Sequence, residues 1–190
     1  MHRLIILVLT VLSLGLIQPV GAQDGPFGIG DVLPDLTLPV QDVQEHGEYL
    51  GLPDGAKTFS LSDIDGKAVM IQIFSMYCPI CQKEAPAVNA LYAAIAEKGL
   101  ADEVKILGIG AGNSQMEVQF FRDRYDIPFP LITDPDYVLH KAFAGVGTPY
   151  FVLVQPEGEA PNVKHVVRLS HLGSFDDPDS FLELLLAAIR

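Results

Sequence analysis

Ala68-Val-Met-Ile-Gln-Ile-Phe74 is an apolar run rich in β-branched residues, broken only by Gln72. It passes through Ser75-Met76-Tyr77 straight into Cys78-Pro79-Ile80-Cys81. A strand that is apolar on both faces must be covered on both faces, which calls for a sheet inside an α/β domain. After Pro79 the period changes. Ala85, Val88, Leu91, Tyr92 and Ile95 recur at helical spacing up to about Lys98, and Gly99 follows as a stop. Pro86 falls inside that helix, where it removes a backbone hydrogen bond and predicts a kink. Both cysteines of the chain therefore stand together at a strand-to-helix junction.

The rest of the chain alternates in the same manner. Val104 to Ile109 reads as a second buried strand, and Ser114-Gln-Met-Glu117 has the capping-box pattern of a helix reaching about Arg124. Phe129 to Thr133 is a candidate short strand, and Asp136 to Ala144 a short helix stopped by Gly145. Thr148-Pro149 leads into a strand over Tyr150 to Val154, and Pro156-Glu-Gly158 opens a turn into Val163 to Leu169. Asp177-Pro178 supplies a cap and a first-turn proline for a final helix, Asp179 to Ile189. Between Asp31 and Asp65, short apolar runs broken by Pro, Gly and Asp predict turns and small strands. With no repeat and no linker-like tract, the mature chain is expected to form one α/β domain.

Ahead of residue 23 stands a different kind of segment. Leu4 to Ile17 are almost all apolar, Arg3 precedes them, and the small residues Val20-Gly21-Ala22 follow Pro19. That is the pattern of a secretory signal peptide over 1–22, cleaved after Ala22 and leaving 23–190 as the domain; retention as a membrane anchor is the alternative. The apolar run stops short of the roughly 20 residues a spanning helix needs. A periplasmic or otherwise exported chain works in a disulfide-permissive compartment. A net charge of −12 argues against nucleic acid or an anionic membrane surface as the main partner. Two cysteines cannot staple a disulfide-rich scaffold, so their pairing asks for another purpose.

At the start of a helix, Cys78 meets free backbone N–H groups and the positive end of the helix dipole, both of which favour a thiolate. Cys81 lies one turn further in, more shielded and close enough to bond to Cys78. Such a pair can attack a disulfide, hold it as a mixed disulfide, and resolve it internally. Other uses of a cysteine pair fit less well. A c-type haem site needs His after the second cysteine, where this chain has Gln82. A zinc site needs two more ligands, and nothing in the spacing of His140, His165 and His171 pairs them with the cysteines. No cofactor and no metal are therefore expected. A structural disulfide stays open, although so small a loop would constrain the unfolded chain little.

Several segments together resemble thioredoxin-fold proteins, and within them the exported TlpA/ResA-like thiol-disulfide oxidoreductases, a group related to the redoxin and AhpC/TSA proteins. The resemblance starts at Gly30-Asp-Val-Leu-Pro34-Asp-Leu-Thr-Leu38 and continues through Leu61-Ser62-Asp63 and Gly66-Lys67. Its core is Phe74-Ser-Met-Tyr-Cys-Pro-Ile-Cys-Gln-Lys-Glu-Ala-Pro86, and it closes at Val146-Gly147-Thr148-Pro149. It implies a central mixed sheet flanked by helices, with an N-terminal extension and a helix insertion, Ser114 to Arg124, before a cis-proline loop. It also implies that Cys78 and Cys81 form a redox disulfide, that Pro149 is the cis-proline facing it, and that Thr148 pairs with substrate backbone. Glu84 matches an acid found after the C-x-x-C of ResA-like proteins. As a partly desolvated carboxyl on the face of Cys81 and Val88, it would have a raised pKa and could handle thiol protons.

Some positions depart from the pattern. Gln72 stands where thioredoxin has a buried Asp, which removes proton handling by that residue. Tyr77 replaces the usual Trp before the first cysteine, keeping an aromatic ring at the substrate side of the pair. Peroxiredoxins are a rival within the same fold, since Tyr125 to Asp134 resembles theirs and Ser75 sits three residues before Cys78. Their proline seven residues before the cysteine is replaced by Ile71. A Sco-type copper carrier would need C-x-x-x-C and a distal His, whereas His140 reads as a surface helix residue and His46 as a solvated loop residue. Two function classes remain at this point. One is a reductase of disulfides in exported proteins, apocytochrome c among them, fed by a membrane thiol-disulfide electron donor. The other is a binding or sensing protein in which the cysteine pair is structural.

Overall fold

A computed structural model of the protein describes residues 26–190. The expected signal segment 1–22 and its cleavage after Ala22 lie outside the described residues. The first half contains β1 (Leu38–Pro39), α1 (Gly47–Leu50), β2 (Thr58–Phe59), β3 (Ala68–Phe74), α2 (Pro79–Glu97) and β4 (Val104–Ala111). The second half contains α3 (Gln115–Tyr125), β5 (Leu131–Asp134), α4 (Val138–Ala142), β6 (Tyr150–Glu157), β7 (Lys164–Leu172) and α5 (Pro178–Ala188).

Five strands form one mixed sheet in the order β5-β4-β3-β6-β7, with β3, β4 and β5 parallel and β6 and β7 antiparallel. All seven residues of β3 are buried at the sheet centre, as its two-faced apolar sequence requires. Its side chains alternate between two cores. Val69, Ile71 and Ile73 join Leu38, Leu50 and Phe59 of the N-terminal segment and Phe143 after α4. Met70 and Phe74 face the other way, against Val88 and Leu91 of α2, Val118 and Phe121 of α3, and Phe181 and Leu185 of α5.

The N-terminal segment is tied to the outer edge of the sheet. Gly30 N–H donates to the Val167 carbonyl, Leu33 N–H to that of His165, and Val167 N–H returns a bond to Asp31. This covers an edge strand that would otherwise present unpaired backbone. Where small strands were expected between Asp31 and Asp65, β1 and β2 are two residues each. The remainder includes α1 and single 3-10 turns at Val40–Asp42, Gln44–His46 and Leu61–Asp63.

Three sequence expectations are corrected. β4 runs on to Ala111, two residues beyond Ile109, because Gly108 and Gly110 leave room for Leu131 and Val118 to pack against them. α4 is shorter than Asp136 to Ala144, since Tyr137 takes a left-handed φ of 58° and Ala144 one of 60°. β6 continues through Pro156 to Glu157, opposite His165 and Lys164, so the turn starts only at Gly158. The capping box at Ser114 and Glu117 and the Asp177 cap form as the sequence pattern implies.

Candidate active site

Both cysteines sit where β3 hands over to α2. The loop before them is fixed at Met76, whose N–H donates to Asn113 Oδ1 at 2.8 Å and whose carbonyl accepts Gln82 Nε2 at 2.7 Å. Cys78 is the N-cap of α2, with extended backbone at φ −84° and ψ 113°, and Pro79 takes the first helical position, where its missing N–H costs nothing. The Cys78 Sγ accepts the Cys81 N–H at 3.3 Å. This is a sulfur doing what a Ser or Asp oxygen does at other helix starts.

The second wall is the loop between α4 and β6. The Thr148–Pro149 bond is cis, and the Cys78 thiol donates to the Thr148 carbonyl oxygen at 3.2 Å. Two segments 70 residues apart in the chain thus face each other across one sulfur.

The two thiols are electrically unlike. Burial works to raise Cys78, but hydrogen bonds from the Thr148 side chain, from the Cys81 thiol, and from the N–H groups of Cys81 and Ile80 outweigh it. The net effect holds its pKa below the ordinary thiol value. Cys81 is fully buried, and burial, followed by its hydrogen bond to Cys78, pushes its pKa up to about 12. Both are free thiols in this structure. The pair is poised with one ionisable, half-exposed sulfur and one protonated, hidden sulfur.

Glu84 is buried at 5% exposure on the same face of α2 as Cys81, and burial raises its carboxyl pKa. Its Oε1 accepts the Phe175 N–H at 2.9 Å, in the segment leading to α5, rather than bonding to either sulfur. Tyr77 stands outside the pair at 64% exposure and donates its hydroxyl to Glu117, the acid of the α3 capping box. That bond raises the Tyr77 phenol and lowers the Glu117 carboxyl. Gln72 is buried on β3, paired with Gly108 and Phe151.

Two histidines are placed otherwise than expected. His140 is half-buried, with its ring Nε2 bonded to the Val146 carbonyl at 2.7 Å, two residues before Thr148. His46 is half-buried beside Arg122, its Nε2 at 3.1 Å from the guanidinium, and burial and that charge lower its pKa. Asn113 escaped the sequence reading altogether. It lies between Gly112 and the capping box, and only the approach of β4 to the β3–α2 loop gives its amide a purpose.

A family model described as the AhpC/TSA family matches residues 29–162. The thiol-disulfide oxidoreductase ResA of Halalkalibacterium halodurans is 28% identical over 131 residues, 68% of this chain and 68% of that protein. ResA of Geobacillus thermodenitrificans is 26% identical over 164 residues, covering 85% and 84%. Among solved structures, a thiol:disulfide interchange protein of the thioredoxin family from Chlorobium tepidum shares the fold. Its TM-score is 0.58 at 19% identity, covering 86% of this chain and 99% of that one. The chain belongs to the AhpC/TSA family, and within it is a TlpA/ResA-like thiol-disulfide oxidoreductase built on the thioredoxin fold.

Proposed function

We propose that this protein is exported and reduces disulfides in other exported proteins through Cys78 and Cys81. The asymmetry of the two thiols carries this reading: the lowered one is reachable and the raised one is buried. In the forward reaction the Cys78 thiolate attacks one sulfur of a substrate disulfide, a mixed disulfide forms, and the other substrate sulfur leaves as a thiolate that takes up a proton. Cys81 then gives up its proton and attacks Cys78 Sγ, releasing the second substrate thiol and leaving a Cys78–Cys81 disulfide. The substrate gains two electrons and the protein loses two, so a thiol-disulfide electron donor, membrane-bound in this proposal, must restore the dithiol. No cofactor enters the balance.

Thr148 and Pro149 serve in this reading as the docking edge for substrate backbone, because the Thr148 carbonyl already touches the attacking sulfur. Tyr77 at 64% exposure and Ile80 at 51% flank Cys78 with open apolar surface, which suits a polypeptide better than a small peroxide. Glu84 would act at a distance as a proton-handling group, since burial raises its carboxyl pKa and so favours the neutral acid that can give a proton. Apocytochrome c is one substrate the proposal includes.

Thiol trapping on protein taken directly from cells tests the direction. A reductase is found largely as the dithiol. A protein found fully as the disulfide would make it an oxidant, and a bridge resistant to mild reductant would make it structural.

A further inference from the structure

Asp134, the last residue of β5, is buried at 3% exposure and organises both loops around Cys78. Its carboxylate accepts the N–H groups of Leu139 at 3.1 Å and His140 at 2.7 Å, which pins the start of α4. Its own N–H donates to the Asn113 carbonyl at 3.2 Å, and Asn113 Oδ1 in turn holds the Met76 N–H two residues before Cys78. On the other branch, His140 Nε2 meets the Val146 carbonyl at 2.7 Å, two residues before Thr148. A carbonyl oxygen can only accept, so Nε2 carries the proton and the ring tautomer is fixed. The Tyr137 ring lies against the imidazole, with centroids 5.7 Å apart.

Both walls of the site thus hang from the ends of two adjacent parallel strands. We propose that His140 is a positioning residue: its bond to Val146 holds the Thr148–Pro149 loop at a set distance from Cys78, so that docked substrate backbone and attacking sulfur stay in register. This rests on the disulfide exchange proposed above. His140 touches neither sulfur, and Cys78 keeps its hydrogen bonds from Cys81 and Ile80 without it, so its loss should weaken productive docking of a polypeptide far more than it changes the thiol.

The test uses three variants of the full chain with oxidised insulin as the disulfide substrate. His140→Leu removes the donor. His140→Asn keeps a polar amide too short to reach Val146, and His140→Gln places an amide nitrogen where Nε2 was. The Leu and Asn variants should raise KM for insulin about fivefold, the size of one lost hydrogen bond, while Cys78 alkylation by iodoacetamide stays within about twofold of the original rate. The Gln variant should restore KM to within about twofold. If the Leu variant does not fold, the Asn and Gln pair gives the same comparison. An unchanged KM in Asn, a failure of Gln to rescue, or alkylation that falls in step with KM overturns the positioning role. An original chain that reduces neither insulin nor oxidised glutathione overturns the exchange reading itself, and the positioning role with it.

Discussion

Cys78 and Cys81 are the same chemical group one helical turn apart, and the fold makes them unlike by two ordinary means: a helix start for one, burial for the other. Glu84 is a subtler case, because its raised carboxyl and its bond to Phe175 can be separated by substitution. Glu84→Gln keeps an acceptor for the Phe175 N–H and removes the ionisable group. As pH rises past the ordinary 4.5, the unfolded chain loses this proton before the folded one, so the ionised form lowers stability at neutral pH. The Gln variant should therefore melt no lower than the original, while breakdown of a mixed disulfide at Cys78 slows by roughly tenfold. Glu84→Ala leaves a buried N–H without a partner and should cost about 1–3 kcal/mol in chemical denaturation. A Gln variant that resolves mixed disulfides at the original rate would reduce Glu84 to an anchor for the segment before α5.

β4 shows why some elements were legible in the sequence and others were not. Val104 to Ile109 announces a buried strand, but glycine is a poor strand former, so the pattern stops where the strand does not. The reason lies across the sheet. A Cβ on Gly110 would stand 2.8 Å from Val118 Cγ2 and 3.2 Å from the Phe74 ring, so β4 can pass beneath α3 only without a side chain there. Gly110→Ala should destabilise the protein by about 1–3 kcal/mol through overpacking against a stiff β-branched neighbour, measured by urea unfolding. A cost below about 0.5 kcal/mol would show that α3 can shift. The strand, the C-x-x-C and the capped helices were readable because each rests on local pattern. Asn113 and His140 were not, since their partners Met76 and Val146 are recruited by topology or by a left-handed turn at Ala144 and Gly145. His140 reads as a surface residue for that reason, and the Phe175 N–H that meets Glu84 comes from a segment 91 residues away in the chain.

Taken whole, the molecule is a five-stranded sheet whose outer strand is closed by the chain's own N-terminal segment, and His165 lies in that seam. It is buried at 6% exposure, and burial lowers its pKa against the opposing pull of Asp35 and a backbone bond to Leu61. Above pH 6.5 it is neutral folded or unfolded; as pH falls through that value the unfolded chain takes the proton first, and stability is lost. His46 acts in the same direction. The melting temperature should drop between about pH 7.5 and 5.5, and His165→Gln should make that drop shallower. An unchanged slope in the variant would place the pH sensitivity elsewhere.

Two sulfurs divide the labour of exchange in this protein's proposed reaction, and trapping of mixed disulfides measures that division directly. Cys81→Ser removes the resolving thiol and leaves the reachable one, so it should accumulate covalent, reductant-sensitive complexes with disulfide-bearing proteins, separable on a non-reducing gel. Cys78→Ser should accumulate none, because the remaining thiol is fully buried and that burial is the main cause that pushes its pKa up. Equal trapping by the two variants would mean that the sulfurs are interchangeable, and trapping by Cys78→Ser alone that Cys81 is the attacking thiol.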